Sequence, residues 1–403
     1  MKTFYHNIKG GKFMYQVKTL NKISPVGLAH LTESYLLTEK TEDADAILVR
    51  SQDMHEMAFS DKLKAIARAG AGVNNIPLDR CAEAGIVVFN TPGANANAVK
   101  ELVLCGMLLA SRNVPAALTW AKGLTADVSK TVEKGKSQFA GHEIMGKTLG
   151  IVGLGAIGRK VAEAANALGM QIVGYDPYYV SGGEGITVYQ DLAEMLPLCD
   201  IITLHLPAND ATKGMVNKAF LAAVKDGAIL LNFSRDKLVN DVDLLVALES
   251  GKLAQYVTDF PNDALVDREH ITLLPHLGAS TAEAEDNCAS MAVMELCDFF
   301  ENGNIINSVN FPKVDMGPLG DGHRLAFFVK DMENPVEEIM HMLSAAEIKV
   351  SKIQAGRRAA DGIAYVLAEV ESTDAHNLLF GGETGAKILR HREIGDKRAH
   401  HEI

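Results

Sequence analysis

The stretch GKTLGIVGLGAIGRKVAEAANALGMQIVGYD, residues 146–176, contains two short apolar runs separated by a helical pattern. The first run leads directly into GLGAIG, residues 153–158, which matches the pattern G-x-G-x-x-G. The helical segment follows the glycines, and the second run ends at Asp176, 23 residues after Gly153. A strand, a glycine-rich turn, a helix and a second strand form a βαβ unit, which belongs to a parallel sheet.

The glycines of this unit predict a bound dinucleotide. Gly153 permits the tight turn, Gly155 lets backbone N–H groups approach a pyrophosphate, and Gly158 lets the helix pack closely on the strand. The helix N-terminus faces the anion. Asp176 can accept hydrogen bonds from the adenosine ribose and would repel a 2′-phosphate, so NAD is expected rather than NADP. A nucleoside-bearing methyl donor and a glycine-rich turn without a ligand are the alternatives.

Similar apolar runs alternate with helical segments from about residue 45 to 276. Continuous apolar runs that end in Gly, Asp or Pro are typical of strands buried on both faces. Three runs precede a long helical segment at 97–113 and six follow it, so we expect an α/β protein with two doubly wound parallel sheets. The runs are DAILVR (45–50), LKAIARA (63–69), GIVVFN (85–90), TLGIVG (148–153), MQIVGYD (170–176), DIITLHLP (200–207), GAILLNF (227–233), AQYVTDF (254–260) and ITLLPH (271–276).

Composition excludes several classes of protein. The 403 residues are 47% apolar and allow two or three domains, and the formal charge of −12 disfavours a nucleic-acid partner. Five widely spaced cysteines indicate neither a disulfide framework nor a metal site. The sequence lacks the apolar run of a signal peptide or of a membrane-spanning helix. A cytoplasmic protein without a membrane partner is therefore expected.

The C-terminal third predicts a returning helix and a small extra module. Residues 280–283 spell a capping box, and Asn302-Gly303 supplies a helix stop. The Gly- and Pro-containing stretch 313–322 is typical of a linker. Beyond it, residues 324–372 predict a β-α-β-β module, whereas 382–403 has no clear apolar period and is left unassigned.

Reactive side chains follow three successive predicted strands at the ends where open α/β sheets bind ligands. A guanidinium at Arg235 could clamp a carboxylate, and the imidazole of His276 could exchange a proton near neutral pH. A cation, a base and a carboxylate that orients the base are what hydride transfer from a 2-hydroxy acid requires. Each feature also has a non-functional explanation: a surface ion pair for Arg235, an ordinary loop histidine for His276, and a solvated turn for the acidic loop. The acids between Arg235 and His276 are Asp259, Asp263, Asp267 and Glu269.

Taken together, several blocks resemble the D-isomer-specific 2-hydroxyacid dehydrogenases, and within that family the members that oxidise D-3-phosphoglycerate. The resemblance runs from about Met14 to Pro312. The blocks are RAGAGVNNI (68–76), FNTPGANANAVKELV (89–103), GKTLGIVGLGAIGRKVA (146–162), LLNFSRDKLV (230–239), VTDF (257–260) and PHLGAST (275–281). It implies two Rossmann-like domains, one inserted in the other. The implied domains are a substrate domain at 1–96 and 287–315, with 1–13 as an extension, an NAD-binding domain at 97–286, and a degenerate ACT-like module at 322–403.

The resemblance also assigns roles to matching positions. Arg235 matches the carboxylate-binding arginine and His276 the proton-exchanging histidine. Arg50 and Ser51 match a phosphate-binding pair. The remaining matches are Gly153, Gly155, Ile157, Gly158, Asp176 and Asp259 for NAD, and Ala71, Gly72 and Asn95 for the substrate.

Two departures from the family pattern leave alternatives open. Ala264 stands where the family usually has the glutamate that orients the histidine, so Asp263 takes that catalytic position, with Asp267 and Glu269 as substitutes. The ACT-like module has Glu333 where an asparagine would bind an amino acid. Serine sensing and a purely assembly role therefore both stay open for the module.

The resemblance implies NAD-dependent oxidation of a phosphorylated 2-hydroxy acid, D-3-phosphoglycerate, at the first step of serine biosynthesis. A dehydrogenase of plain 2-hydroxy acids, such as a glyoxylate or hydroxypyruvate reductase, is the alternative enzyme. A non-catalytic NAD(H)-sensing protein is the alternative from another class. Family members generally pair through the dinucleotide domain, so a homo-oligomer, dimer or tetramer, is expected.

Overall fold

The computed structural model describes residues 14–179, 183, 185–371 and 382–395. The chain forms two compact units, Met1–Ala94 with Glu285–Ile403, and Asn95–Ala284. Two parallel sheets and a small antiparallel sheet confirm the predicted fold class. The predicted extension at 1–13 lies outside the described residues, and the finer domain boundaries given above stay a prediction.

The first unit begins with a five-stranded parallel sheet in the order β2-β1-β3-β4-β5. Its elements are β1 Tyr15–Thr19, α1 Pro25–Leu28, β2 Tyr35–Thr38, β3 Ala46–Val49, β4 Ala65–Arg68, α2 Leu78–Glu83 and β5 Val87–Asn90. The three predicted strands are β3, β4 and β5. The sequence analysis missed β1 and β2 because they are not continuously buried: only Val17 is buried in β1, and Leu36 and Leu37 are exposed on the edge strand β2.

The second unit contains a seven-stranded parallel sheet in the order β12-β11-β10-β9-β6-β7-β8. Its elements are α3 Ala96–Ser111, α4 Val114–Lys122, α5 Val128–Gly135, β6 Thr148–Val152, α6 Ala156–Ala167, β7 Gln171–Tyr175, β8 Ile186–Tyr189, α7 Leu192–Met195, β9 Ile201–Leu204, α8 Lys218–Ala223, β10 Ala228–Asn232, α9 Asp241–Glu249, β11 Leu253–Thr258 and β12 Ile271–Leu273. Six of the strands were predicted, and β8 was missed. The strand order reverses at β6, which lies between β7 and β9, and ligands bind at such switch points.

Helix α3 covers this second sheet through one apolar face. Val99, Val103, Met107 and Ala110, spaced three or four residues apart, are buried in its core. Within the described part of the chain, no single helix has the length and apolar composition needed to cross a membrane. The bent pair α3 and α4, at 68° to each other, meets those criteria only when the two helices are counted together.

Helix α10, Ala282–Asn302, returns the chain to the first unit, as predicted. Its start differs from the predicted capping box at 280–283. The Thr281 hydroxyl accepts the amide hydrogen of Ala284, whereas the Ser280 hydroxyl donates to the carbonyl of His276. Thr281 is therefore the cap, and the box prediction is wrong by one residue. Gly303, with φ of +76°, follows the helix as predicted.

The C-terminal module is an antiparallel sheet in the order β14-β15-β13-β16 with two helices. Its elements are β13 His323–Lys330, α11 Pro335–Ala345, β14 Val350–Arg357, β15 Ile363–Val370, α12 Gly382–Ala386 and β16 Ile388–Ile394. The β-α-β-β order agrees with the prediction, and the unassigned stretch 382–403 adds α12 and β16. No apolar period indicated β16 because Arg390 and Arg392 interrupt it. Residues 372–381 and 396–403 lie outside the described residues.

This module shares a core with the rest of the first unit. Phe328 and Tyr365 on one face of its sheet pack with Phe299 of α10 and with Phe311. The predicted linker 313–322 is therefore not a free tether: Val314 and Met316 are buried in the same core, and Val314 exchanges backbone hydrogen bonds with Ile305. The composition of 313–322 led to the linker prediction because the stretch has few apolar residues, but Val314, Met316 and Leu319 all pack on the core.

Arg324 of β13 ties the module to the end of α10. Its side chain is almost fully buried, with 1% exposed. The guanidinium donates to the carbonyl oxygens of Asn302 and Gly317, each at 2.8 Å, and lies 3.1 Å from the carboxylate of Glu369. The last carbonyls of a helix receive no hydrogen bond from within the helix, and the guanidinium of Arg324 supplies one to the carbonyl of Asn302. The buried guanidinium of Arg324 therefore both pairs with the charge of Glu369 and caps the end of α10.

Glu295 of α10 is a partly buried acid beside a cavity. Glu295 lines a cavity of about 620 Å³ together with Met291, Met294 and Ile306. One of its oxygens accepts a hydrogen bond of 2.6 Å from the side-chain amide of Asn307, and the other has no partner among the described residues. Burial raises the pKa of Glu295 to about 8, and the Asn307 hydrogen bond only partly opposes this rise.

Replacing Arg324 should strongly destabilise the first unit. Arg324→Met removes the cation beside Glu369 and the donors to four backbone carbonyls, of which, among the described residues, only that of Gly317 keeps another side-chain donor, from Asn304. The free energy of unfolding should therefore fall by about 3–5 kcal/mol. Urea denaturation followed by circular dichroism measures the change. Lys349→Met is the matched control, because Lys349 forms an exposed pair with Glu371 and should contribute no more than about 1 kcal/mol. Equal effects of the two substitutions would contradict the buried-anchor interpretation.

Glu295→Gln should change how stability depends on pH. Because the folded-state pKa lies above the ordinary value of 4.5, the folded protein keeps a proton that the unfolded chain has released between about pH 4.5 and 8. Stability should therefore fall as pH rises through that window in the wild type. Melting temperatures at pH 5 and pH 9 should show Glu295→Gln gaining stability over wild type only at pH 9, with the exposed Glu333→Gln unchanged at both. An equal gain at pH 5 would refute the assignment.

Candidate active site

The glycine turn after β6 has the geometry that the sequence predicted. Gly153 has φ of +102°, and a Cβ added there would lie 2.7 Å from the carbonyl oxygen of His205. A Cβ on Gly158 would lie only 2.0 Å from the carbonyl oxygen of Gly153. In contrast, a Cβ on Gly155 would meet nothing within 4 Å. Gly153 and Gly158 are therefore required by the fold, and Gly155 keeps the mouth of the turn open.

The start of α6 offers amide hydrogens to an anion. Helix geometry leaves the amides of Ala156, Ile157 and Gly158 without intrahelical acceptors, and Arg159 is the first residue whose N–H bonds within this turn, to the carbonyl of Gly155. The Ile157 side chain packs on the core of the unit and fixes this first turn. The arrangement suits a pyrophosphate, whose charge the helix N-terminus also stabilises.

Asp176 lies at the end of β7, beside the glycine turn, as predicted. Its carboxylate is buried and accepts the amide hydrogens of Leu154 at 2.8 Å and Tyr178 at 3.0 Å, one on each oxygen. These bonds fix the side chain, and each oxygen keeps a lone pair for a further donor. Asp176 can therefore still accept the two ribose hydroxyl groups of an adenosine.

His276 follows β12 with an exposed ring and a strained backbone. Its φ is +49°, in the left-handed region that non-glycine residues adopt infrequently. The backbone N–H donates to the carbonyl oxygen of Asp259 at 2.9 Å, and the ring packs against Phe260 with centroids 4.8 Å apart. These two contacts from the end of β11 hold the imidazole in place while leaving its nitrogens accessible.

Asp259 provides an observation that fits a nicotinamide. The side chain is 1% exposed, and its Oδ2 atom accepts the amide hydrogen of Gly278 at 2.8 Å. Its Oδ1 atom is buried without a partner among the described residues. Burial raises the pKa of this carboxyl group, and the Gly278 hydrogen bond opposes the rise. A carboxamide NH₂ group would supply the missing donor, so the residues of this unit fit NAD from the glycine turn to Asp259.

The structure does not bring the predicted orienting acid to His276. Asp263, Asp267 and Glu269 are all exposed, and within the described part of the chain none of their oxygens lies within 4 Å of the imidazole. The loop points outward because Leu265 is buried in the core and the Asn262 amide donates to Asp241 at 3.0 Å. The catalytic role of Asp263 has no contact to support it and stays a prediction.

Arg235 lies after β10 with most of its donors available. Asn232 is buried and donates to the carbonyl oxygen of Arg235 at 2.9 Å, which fixes the backbone. The guanidinium donates one bond, of 2.6 Å, to the carbonyl of Ser234, and within the described residues it forms no ion pair. A planar cation with free N–H groups is suited to a bidentate carboxylate.

The first unit carries four of the remaining predicted residues, beginning with Arg50 and Ser51 after β3. The amide hydrogens of Arg50, Ser51 and Gln52 all bond to the side-chain oxygen of Asn21, at 2.9–3.0 Å. The backbone here is therefore occupied, and any anion must be bound by side chains. The Arg50 guanidinium lies 2.6 Å from the carboxylate of Glu285. The sequence analysis missed Asn21, whose only signal is a polar residue just beyond a short strand.

The loop after β4 presents open backbone amides. Among the described residues, the amide hydrogens of Ala71 and Gly72 have no acceptor, and the carbonyl of Ala71 accepts a 2.7 Å bond from Asn90. Arg68, which the sequence analysis also missed, ends β4 and donates from Nε to the carbonyl of Arg50 at 3.0 Å. This unit thus combines two arginines with two open amides, a set that suits an anionic substrate.

Asn95 belongs to the second unit and begins α3. Its side chain makes no capping hydrogen bond to the helix amides. The carboxamide is therefore available for a ligand, as the predicted substrate contact requires.

Two alanine substitutions should separate the roles of the glycines. Gly155→Ala should leave the melting temperature unchanged, because its Cβ meets no atom, and should weaken NADH binding by at least about tenfold by filling the mouth of the turn. Gly158→Ala should destabilise the unit by about 1–3 kcal/mol or more, because its Cβ overlaps backbone. Thermal melts and NADH fluorescence titration measure both effects. Unimpaired NADH binding by Gly155→Ala would contradict the proposed position of the pyrophosphate.

Comparison with known proteins identifies the family. Residues 104–278 match the model described as D-isomer specific 2-hydroxyacid dehydrogenase, NAD binding domain, which confirms the expectation of NAD. The chain is 34% identical over 362 residues to D-3-phosphoglycerate dehydrogenase from Haemophilus influenzae, covering 85% of each chain. It is 35% identical over 361 residues to the protein of that name from Methanocaldococcus jannaschii, covering 85% of this chain and 66% of the relative.

Other curated relatives are longer. The chain is 36% identical to rat D-3-phosphoglycerate dehydrogenase over 294 residues and covers 53% of it, so it spans about half to two thirds of several relatives that it matches.

Solved structures agree with these matches. NAD⁺-bound 3-phosphoglycerate dehydrogenase from Entamoeba histolytica superimposes with a TM-score of 0.61 at 28% identity, covering 74% of this chain and 99% of that one. A glyoxylate reductase from Paecilomyes thermophila gives 0.63 at 26% identity, covering 73% and 98%. The ordered motifs, the two sheets and the matches along most of the chain show that this protein belongs to the D-isomer specific 2-hydroxyacid dehydrogenase family.

Proposed function

We propose that the protein oxidises D-3-phosphoglycerate to 3-phosphohydroxypyruvate with NAD, the first step of serine biosynthesis. The observation that carries this proposal is the accessible imidazole of His276, fixed by Asp259 and Phe260 in the same unit as the glycine turn. Relatives that bear the name D-3-phosphoglycerate dehydrogenase at 34–36% identity support the choice of substrate. NAD, when bound, supplies the acceptor for the hydride that leaves C2.

The residues of the chain have distinct tasks in this reaction. His276 takes the proton of the C2 hydroxyl group on a ring nitrogen as the carbonyl forms. Arg235 binds the substrate carboxylate through two parallel hydrogen bonds, and the open amides of Ala71 and Gly72 add further donors. Arg50, with the hydroxyl of Ser51, binds the phosphate, and Asn95 contacts the substrate. The other groups bind and position the substrate, and among these residues only His276 exchanges a proton with it.

A dehydrogenase of plain 2-hydroxy acids is the second candidate, and one observation favours it. Arg50, on which phosphate recognition depends, already has a carboxylate partner in Glu285 at 2.6 Å. A substrate without a phosphate would leave that pair intact. The structural likeness to a glyoxylate reductase is compatible with this alternative.

We also infer that the protein is a cytoplasmic homo-oligomer whose partner is a small phosphorylated 2-hydroxy acid. Self-association follows from the family resemblance, since family members generally pair through the dinucleotide domain. The five cysteines are free, and burial raises the pKa of the Cys81 and Cys199 thiols to about 12, which keeps them protonated. Free thiols suit a reducing compartment. For the ACT-like module, the core it shares with α10 supports an assembly role.

Replacing His276 should abolish turnover. His276→Gln removes the base but keeps a polar side chain, so kcat for 3-phosphoglycerate with NAD should fall by at least about 10²-fold. His270→Gln is the matched control, because His270 is also exposed and lies at the opposite end of β12 from His276. Absorbance at the NADH band measures both rates. Undiminished activity of His276→Gln would refute the proposed base.

Replacing Arg50 should distinguish the two candidate substrates. If the enzyme acts on 3-phosphoglycerate, Arg50→Ala should raise KM for it by about 10–100-fold, because a charge-assisted bond to phosphate is lost, and should leave plain 2-hydroxy acids unaffected. Arg357→Ala, an exposed arginine in the C-terminal module, serves as the control. A wild type that turns over only plain 2-hydroxy acids would favour the second candidate.

A further inference from the structure

One acidic side chain lies on the arginine that phosphate recognition would use. Glu285, in the first turn of α10, places a carboxylate oxygen 2.6 Å from a terminal nitrogen of Arg50. Both side chains are partly exposed, at 47% for Glu285 and 38% for Arg50. Exposed pairs of this kind are weak and easily exchanged for another partner. The contact is therefore one that a stronger anion can displace.

The neighbours of the pair fix the backbone at Arg50 without contacting its guanidinium. Asn21 fixes three successive amides at Arg50, Ser51 and Gln52, so the loop does not need to move when the Arg50 side chain does. Arg68 is anchored to the carbonyl of Arg50 through Nε. A phosphate entering here finds two arginines on a fixed frame, together with one carboxylate that competes with it.

We propose that Glu285 is a specificity-determining residue that competes with the substrate phosphate for Arg50. This inference rests on the proposed function, since it assumes that Arg50 receives a phosphate. A phosphorylated substrate must displace the carboxylate and then bind beside its negative charge, so Glu285 raises KM for phosphorylated 2-hydroxy acids. A substrate without a phosphate leaves the pair intact and is unaffected. Glu285 touches no reacting atom, so it does not alter kcat.

A positioning role for Glu285 would have the opposite sign. If the carboxylate held Arg50 ready for phosphate, removing its charge would weaken phosphate binding. Competition predicts the reverse, because a neutral side chain releases the guanidinium and no longer repels the incoming anion. The direction of the change in KM therefore separates the two roles.

The test is Glu285→Gln in the full chain, which keeps the shape of the side chain and removes only its charge. KM for 3-phosphoglycerate should fall by about 3–10-fold with kcat unchanged, and KM for D-glycerate, which lacks the phosphate, should stay the same. Glu283→Gln, an exposed glutamate in the same helical turn, is the matched control and should behave like the wild type. An unchanged or increased KM for 3-phosphoglycerate in Glu285→Gln would overturn the proposal.

A binding measurement keeps this result separate from the proposed function. Titration with inorganic phosphate, followed by ³¹P NMR, does not depend on turnover. Glu285→Gln should tighten phosphate binding by a similar factor, and the double variant Glu285→Gln/Arg50→Ala should lose that gain. If Glu285→Gln binds phosphate more tightly as expected but the protein does not turn over 3-phosphoglycerate, only the proposed function is refuted. Equal phosphate affinity in the wild type and Glu285→Gln refutes the role of Glu285.

Discussion

The close approach of α6 to β6 is the constraint on which the second unit depends. The carbonyl oxygen of Gly153 occupies the space that a side chain at Gly158 would need, since a Cβ there would lie only 2.0 Å from that oxygen. This approach aims the first amides of α6 at the carboxyl end of β6, which is also where the strand order of the sheet reverses. Packing and ligand binding therefore have the same origin: the contact that closes the fold also creates the anion site.

The predictable part of the fold is the part that is buried on both faces. Strands such as β3, with all four residues buried, are continuously apolar, and the sequence analysis found them. β2 and β16 were missed because edge strands alternate or carry charge: Leu37 is exposed, and Arg392 is buried against Phe299 rather than in solvent. Packing against neighbouring strands makes those segments form strands, and a local sequence pattern does not reveal such packing.

The candidate site divides along a similar line. Gly153, Gly155, Gly158 and Asp176 form a local motif, and the structure places them as the spacing predicted. Partners distant in sequence were not predictable: Asn21 meets Arg50 across 29 residues, and Glu285 meets it across 235. Asp263 failed to reach His276 for a physical reason, since the burial of Leu265 sets the direction of the loop. A motif fixes the residue types at a site, whereas packing decides which of them meet.

The net charge of −12 shows why such pairings matter in this protein. An anionic chain that binds an anionic cofactor and an anionic substrate must rely on local donors, and Arg235 and Arg50 of the candidate site differ in how available they are. Arg235 has no ion-pair partner among the described residues, so a carboxylate meets an open cation. Arg50 is already paired with Glu285, so a phosphate must compete for it. Under the proposed function, the carboxylate that every 2-hydroxy acid has meets no competing acid at Arg235, whereas recognition of the phosphate is adjusted by the single acidic side chain of Glu285.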